Sequence, residues 1–211
     1  YGTIRPNRAL FPMLPPFDQA YMNRAVEAGM QAFNRAGVTA IYEGHGIPKP
    51  QQLAYADLWQ RRNLSVRTYF VISWPNAFFT DTAKGRALID ETALYAAGEG
   101  FGDDLLRYGG LGYSFDSATA IGACLMREPY VGARGYAWNG VQHTPDEAFL
   151  DGLFRAARAN LRVQVQCAGG AAIDKVLAMF ETIDREIPIK GKRWVIEHCQ
   201  FPSAENMASF R

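Results

Sequence analysis

Three histidines serve the 211 residues, at positions 45, 143 and 198, and their settings differ. His45 follows Glu43 at a spacing of two, and His198 follows Glu197 directly; His143 stands beside Thr144 and Pro145, where a helix is about to start. Imidazole is the commonest metal ligand and the usual general base near neutral pH. His45 and His198 are therefore the first candidates for chemistry, and His143 is read as structural or solvated. Asp116 and Gln166 each end a short apolar run, Gly112-Tyr-Ser-Phe-Asp116 and Leu161-Arg-Val-Gln-Val-Gln166, and Ser73 and Trp74 close another. The three cysteines, Cys124, Cys167 and Cys199, are too few and too scattered for a disulfide framework or a structural zinc knuckle. Cys167 and Cys199 are read as buried, inert thiols.

Those groups meet only if the elements bring them together, and the chain alternates helix and strand. Met22, Val26, Met30 and Phe33 recur at helical spacing over 18–36, with Gly37 placed as a C-cap glycine. A strand is expected at 38–43, a helix at 50–62, a strand at 66–73 and a helix at 82–97. A glycine-rich loop then leads to a strand at 112–116. Residues 117–142 read as an insertion within a domain that spans 1–211. Thr144-Pro-Asp-Glu147 is a capping box with proline at the first helical position, and its helix ends near Asn160. Strands at 161–166 and 193–198 flank a helix marked by Ile173, Val176, Leu177, Phe180 and Ile183, and Pro202-Ser203 opens a last helix.

Repetition of helix and strand with short connections implies an α/β fold with a parallel sheet. An open doubly wound sheet would be complete with these five strands, whereas a (β/α)8 barrel needs three more. In both, reactive groups gather at the carboxyl ends of the strands. That rule collects Glu43 and His45, Ser73 and Trp74, Asp116, Gln166 and Cys167, and Glu197 with His198 and Cys199.

Other chemistries are set aside by composition and order. Lys plus Arg number 22 against 21 for Asp plus Glu, a net charge of +1 without a basic run, so neither nucleic acid nor an anionic membrane surface is an expected partner. No apolar stretch approaches the roughly 20 residues that span a bilayer. No G-x-S-x-G elbow presents a hydrolase serine. Gly98-Glu-Gly-Phe-Gly102 precedes a strand instead of joining strand to helix, the wrong order for a phosphate loop; Gln166-Cys-Ala-Gly-Gly170 has the right order but not the dinucleotide spacing. The odd cysteine count and the lack of a leader suggest a cytoplasmic location, although Tyr1 is not an initiator methionine.

Three blocks resemble the amidohydrolase superfamily, specifically its YtcJ-like metal-dependent hydrolases. Phe33-Asn-Arg-Ala-Gly-Val-Thr39 is similar to the family's "G-V-T" segment, and Phe115-Asp116 followed by Glu128-Pro129-Tyr130 to its strand-Asp and "E-P-Y" block. Gly169-Gly-Ala-Ala-Ile-Asp-Lys-Val-Leu177 and Arg193-Trp-Val-Ile-Glu-His-Cys-Gln200 are similar to "H-x-x-G-D-x-A-x-x-x-V-L" and "R-x-x-I-E-H-x-Q".

The resemblance implies a (β/α)8 barrel of which the chain holds the second to sixth strands. It implies hydrolysis of a non-peptide, amide-type C–N bond of a small molecule with a divalent metal, zinc above others. His198 matches the family's strand-six ligand. Gly112 stands where the family has lysine, and Gln166 where it has the strand-five histidine. From these departures we expect no binuclear centre, no hydrolysis by the chain alone, and His45, Trp74, Asp116 and Gln166 as pocket groups around His198. A degenerate barrel that binds a small molecule without turnover is the alternative. Open barrel edges further imply a homo-oligomer or completion by other segments.

Overall fold

The computed structural model describes residues 18–73, 81–131 and 135–210. The chain divides into two compact units, one of Tyr1–Thr39 with Lys49–Val66, the other of Ala40–Pro48 with Arg67–Arg211. The first unit holds helices α1 (Gln19–Arg35) and α2 (Lys49–Gln60). Asp18 caps α1 by accepting the Tyr21 N–H at 2.7 Å, and Gly37 turns the chain out of it at φ +75°. Asn23 Nδ2 donates to Asp57 Oδ2 at 2.8 Å, and Gln19 Nε2 to the Pro50 carbonyl at 2.9 Å, so the two helices are pinned along one seam.

In chain order the second unit contains strand β1 (Ala40–Ile47), β2 (Arg67–Ser73), helix α3 (Thr82–Ala96), β3 (Phe101–Gly102), β4 (Leu106–Ser114), α4 (Asp146–Arg158), β5 (Val163–Cys167), α5 (Gly170–Glu186), β6 (Val195–His198) and α6 (Ala204–Ser209). The sheet runs β1-β2-β4-β5-β6 with every pair on that path parallel; only β3 lies antiparallel, against β4. Its strands are apolar through the middle, with Phe70, Val71, Leu111, Val163 and Val165 fully buried. That is the pattern of a parallel sheet with helices laid over it. Phe149 and Leu153 of α4 and Ile173 and Val176 of α5 are equally buried, and Phe149 packs its ring on Tyr113 of β4 at 4.5 Å.

The sheet curls. Laid flat, four strand spacings of about 4.8 Å would part β1 from β6 by roughly 19 Å. The rings of His45 on β1 and His198 on β6 nevertheless have centroids 5.3 Å apart. Side chains from the two end strands can meet this way only across the inside of an arc, which excludes the open doubly wound sheet. Five strands curled to this degree form part of a (β/α)8 barrel, whose interior is just wide enough for side chains to fill.

Several boundaries depart from the sequence reading. β4 starts at Leu106, where a glycine-rich loop is expected, because its glycines serve close packing inside a strand. A Cβ on Gly109 would lie 1.9 Å from Tyr69 Oη, and one on Gly110, at φ +84°, would lie 2.1 Å from the Arg162 carbonyl. Pairing passes from Phe70↔Tyr108 to Ile72↔Leu111, so β4 carries an extra residue there, a glycine bulge. The capping box expected at Thr144 does not form; Pro145 occupies the cap, and the Thr144 hydroxyl instead bonds that of buried Tyr113. The corresponding box at Ser203 and Asn206 does form at the start of α6. Asp116 and Gln142 pair as an isolated antiparallel bridge at the base of the excursion between β4 and α4. No helix among the described residues is long and apolar enough to cross a membrane.

Candidate metal centre

β1 passes its partner irregularly. Glu43 pairs with Phe70 and Ile47 with Ile72, so four steps on β1 match two on β2. Gly44, His45 and Gly46 form the bulge, and Gly46 sits at φ +76°, a conformation that favours glycine. The bulge presses on its surroundings: a Cβ on Gly46 would lie 2.5 Å from the Ser73 Cα, and one on Gly44 would lie 1.8 Å from Gln164 Nε2 and 2.9 Å from Glu197 Oε1. With glycine on both sides, His45 is pushed out of the ladder toward β6. Its N–H donates to Glu43 Oε1 at 3.0 Å, and its Nδ1 stands 3.9 Å from the same oxygen.

β6 makes the opposite approach. Consecutive residues on a strand point to opposite faces, so Glu197 and His198 would be expected to diverge. They do not, because His198 adopts φ +69° and the Cys199 N–H donates to the Glu197 carbonyl at 3.0 Å, an i→i+2 bond that makes a γ-turn. Cys199, at φ +44°, also donates to the Cys167 carbonyl, anchoring the turn to β5. A non-glycine γ-turn with positive φ stores on the order of 1–3 kcal/mol of strain, and such strain collects at functional sites.

The outcome is a cluster of His45, Glu197 and His198 whose ligand atoms all lie within 4.8 Å of one another. Among the described residues no other group of three His, Cys, Asp or Glu side chains converges in this way. His45 Nδ1 and Glu197 Oε2 are 3.5 Å apart, close to the roughly 3.4 Å that separates two ligands of a tetrahedral ion at about 2.1 Å. Glu197 Oε2 is buried and has no hydrogen-bond partner among the described residues. A desolvated carboxylate oxygen without a donor is costly, and a cation removes that cost. Two imidazoles and a carboxylate are also a known three-residue set for catalytic zinc, leaving a fourth position open. The donors fit a single divalent ion.

The remaining candidates fall around this cluster in different ways. Gln166 is half-buried on β5 beside Glu197, its register partner on β6. Two residues earlier Gln164, fully buried, accepts the Tyr42 hydroxyl through Oε1 and holds Nε2 without a partner among the described residues. Burial pushes the Tyr42 phenol up to about 12 against the opposing pull of Arg162, which keeps it a donor. Asp116 is buried and fully engaged: its carboxylate accepts the Leu125, Ala168 and Gly169 N–H groups at 2.9, 2.9 and 2.8 Å. The amides after β5 that the sequence offers as an anion cradle therefore already hold an internal carboxylate. His143 lies outside the cluster, its Nδ1 3.3 Å from the Ser114 carbonyl. Cys167 is buried as expected, whereas Cys199 is only half-buried; burial raises both thiols above the ordinary value. Tyr130 and Trp138 spend their polar atoms on the Cys124 and Gly122 carbonyls. Trp74 lies outside the described residues.

Gly112, at the position of the family lysine, has a steric reason to be glycine. A Cβ there would lie 2.5 Å from Val71 Cγ2 and 3.0 Å from the Gly46 N. The β1 bulge that delivers His45 occupies the space that a lysine stem would need.

Comparison with known proteins bears on the fold and the family. The crystal structure of an uncharacterized metal-dependent hydrolase from Pyrococcus horikoshii OT3 superposes with a TM-score of 0.71 at 15% identity, over 99% of this chain and 38% of that one. A second, from Pyrococcus furiosus, superposes with a TM-score of 0.67 at 16% identity, over 93% of this chain and 41% of that one. The chain thus spans about two fifths of the length of either structure. No curated protein sequence matches it. The model of the amidohydrolase family matches residues 2–211, and with the barrel arc and its strand-end blocks in family order, this chain belongs to the amidohydrolase family.

Proposed function

We propose that the chain forms the metal-holding part of a hydrolase that cleaves a non-peptide, amide-type C–N bond of a small molecule, with one divalent ion, zinc by its donor set, bound by His45, Glu197 and His198. The observation that carries this reading is the convergence of two imidazoles, from opposite ends of the arc, with a buried Glu197 carboxylate oxygen that lacks a hydrogen bond among the described residues. A divalent ion held there supplies Lewis acidity toward a carbonyl oxygen and toward water. The chain's own residues set the geometry. Glu43 fixes the His45 backbone and lies beside its ring. The γ-turn holds His198 on the cavity side, and the Tyr42–Gln164 bond braces the wall behind Glu197. β1 and β6 end the sheet path, so we infer that further strands or a second copy cover those edges in the assembled protein.

The test is metal removal with a chelator, reloading with Zn2+, elemental analysis and an amidase screen. One ion per chain is expected, lost in His45→Ala, Glu197→Gln and His198→Ala alike. Two tightly bound ions per chain would overturn the mononuclear assignment. One ion without turnover of any amide would favour the degenerate, ligand-binding barrel.

A further inference from the structure

At the opposite end of the arc, where the strands begin, lies a cavity of about 650 Å³ lined by Arg107, Arg162, Lys190, Lys192 and Arg193 with a single carboxylate, Glu99. Arg193 lies two residues before β6 and His198 ends that strand, and the cavity shares no lining residue with the metal cluster, so the two sites are separate. Five cations against one acid is a marked local excess in a chain whose net charge is +1. Among the described residues none of the five makes an ion pair. The amino face of a parallel barrel ordinarily serves stability, and unpaired like charges gathered there work against it.

Arg162 is built in as a receptor would be. Its guanidinium carbon sits 5.5 Å from the centroid of Tyr42 and 5.1 Å from that of Tyr69, fixed against two aromatic faces. Its Nε is buried without a hydrogen-bond partner among the described residues. Lys192 is held in place by Asn160 Oδ1 at 3.0 Å and the Ala157 carbonyl at 3.3 Å. A planar guanidinium held against two rings, with the Lys190 and Lys192 ammonium groups and two more guanidinium groups on the same cavity, matches a phosphate oxyanion. The volume lies within the range of small-molecule sites.

We propose that this cavity binds a small polyanion carrying a diphosphate group, the size and charge of a nucleoside di- or triphosphate. The claim is independent of the metal reading. Its test is calorimetric titration of the chelator-treated protein with pyrophosphate and with ATP, and with a single-stranded oligonucleotide as a competing class. Saturable one-to-one binding of pyrophosphate is expected, with ATP competing for the same site. Arg162→Met should weaken it by about tenfold or more, as loss of a charge-assisted bond does. Because Arg162 is partly buried, Lys190→Gln with Arg193→Gln, both exposed, gives a second test and should weaken binding comparably. His198→Ala should leave pyrophosphate affinity unchanged. Absence of saturation up to about 5 mM, a range that still detects millimolar affinity, would overturn the proposal. So would binding lost in His198→Ala but retained in the cavity variants, or binding of the oligonucleotide in place of pyrophosphate.

Discussion

Gly44→Ala tests whether the β1 bulge, Gln164 and Glu197 act as one packed unit. No positive φ restrains Gly44, so its backbone accepts alanine and the whole cost is side-chain overlap. The new methyl would lie 1.8 Å from Gln164 Nε2, 2.7 Å from its Cδ and 2.9 Å from Glu197 Oε1. Ordinary contact is about 3.5 Å, so the amide must retreat by roughly 1.7 Å. Gln164 is fully buried, and its retreat breaks the bond from Tyr42. Overpacking costs about 1–3 kcal/mol and the lost hydrogen bond about 1 kcal/mol more. A loss of about 2–4 kcal/mol is expected from urea unfolding midpoints. In Gln164→Ala the obstructing amide is gone, so adding Gly44→Ala should cost no more than about 0.5 kcal/mol further, a strongly non-additive cycle. Metal affinity should follow: about tenfold weaker in Gly44→Ala, where Glu197 is pushed as well, and only partly recovered in the double variant, where the methyl still meets Glu197 Oε1. Additive effects within about 0.5 kcal/mol would refute the reasoning, because the two side chains would then not share that space.

Three further outcomes follow from the same packing. Asp116→Asn exchanges a carboxylate that accepts three backbone N–H groups for a carbonyl oxygen and a misplaced donor, and should cost about 1.5–3 kcal/mol in chemical denaturation. Gly112→Lys should lower the melting temperature and add no second metal by elemental analysis, since its Cβ meets Val71 and Gly46 before the side chain can extend. The Arg127 guanidinium, through its hydrogen bonds to Asp174, holds that carboxyl below its ordinary value of 3.8, so the pair's contribution is complete above that pH and fades as pH falls through the lowered value. The stability gap between wild type and Asp174→Asn, under about 1 kcal/mol for a solvent-screened pair, should therefore hold near neutral pH and close on acidification below 3.8.

The alternation that sets the fold was plain in the residues, because helix periodicity, capping residues and β-branched runs are local signals. Asp18, Gly37 and Ser203 act at helix ends where their types place them. β4 was the exception. Composition reads Tyr108-Gly-Gly-Leu-Gly112 as a loop, and only the neighbours explain it: Tyr69 and Arg162 come so close that side chains at 109 and 110 would collide with them. Thr144 shows the same limit from the other direction. A hydroxyl suited to a cap was drawn to the buried phenol of Tyr113, whose own need for a partner is not visible in local sequence.

The site was harder to read because both of its halves break the strand rule from which sequence reasoning works. The resemblance assigns metal binding to His198 and says nothing of Glu197, and strict alternation would let only one of the two face the cavity. The γ-turn removes that choice, yet a positive φ at histidine has no signature in residue type. On β1 a signal did exist. Glycines on either side of a histidine at a strand end mark a place where backbone or neighbour must come close, and Gly44 and Gly46 meet Gln164 and Ser73 there. Gly112 belongs to the same cause. Met as a substitution in a family pattern, it looks like the loss of a ligand; beside Gly46 it is the vacancy that admits the bulge. The position that gave up a lysine is thus linked sterically to the position that brings His45 within 3.5 Å of Glu197.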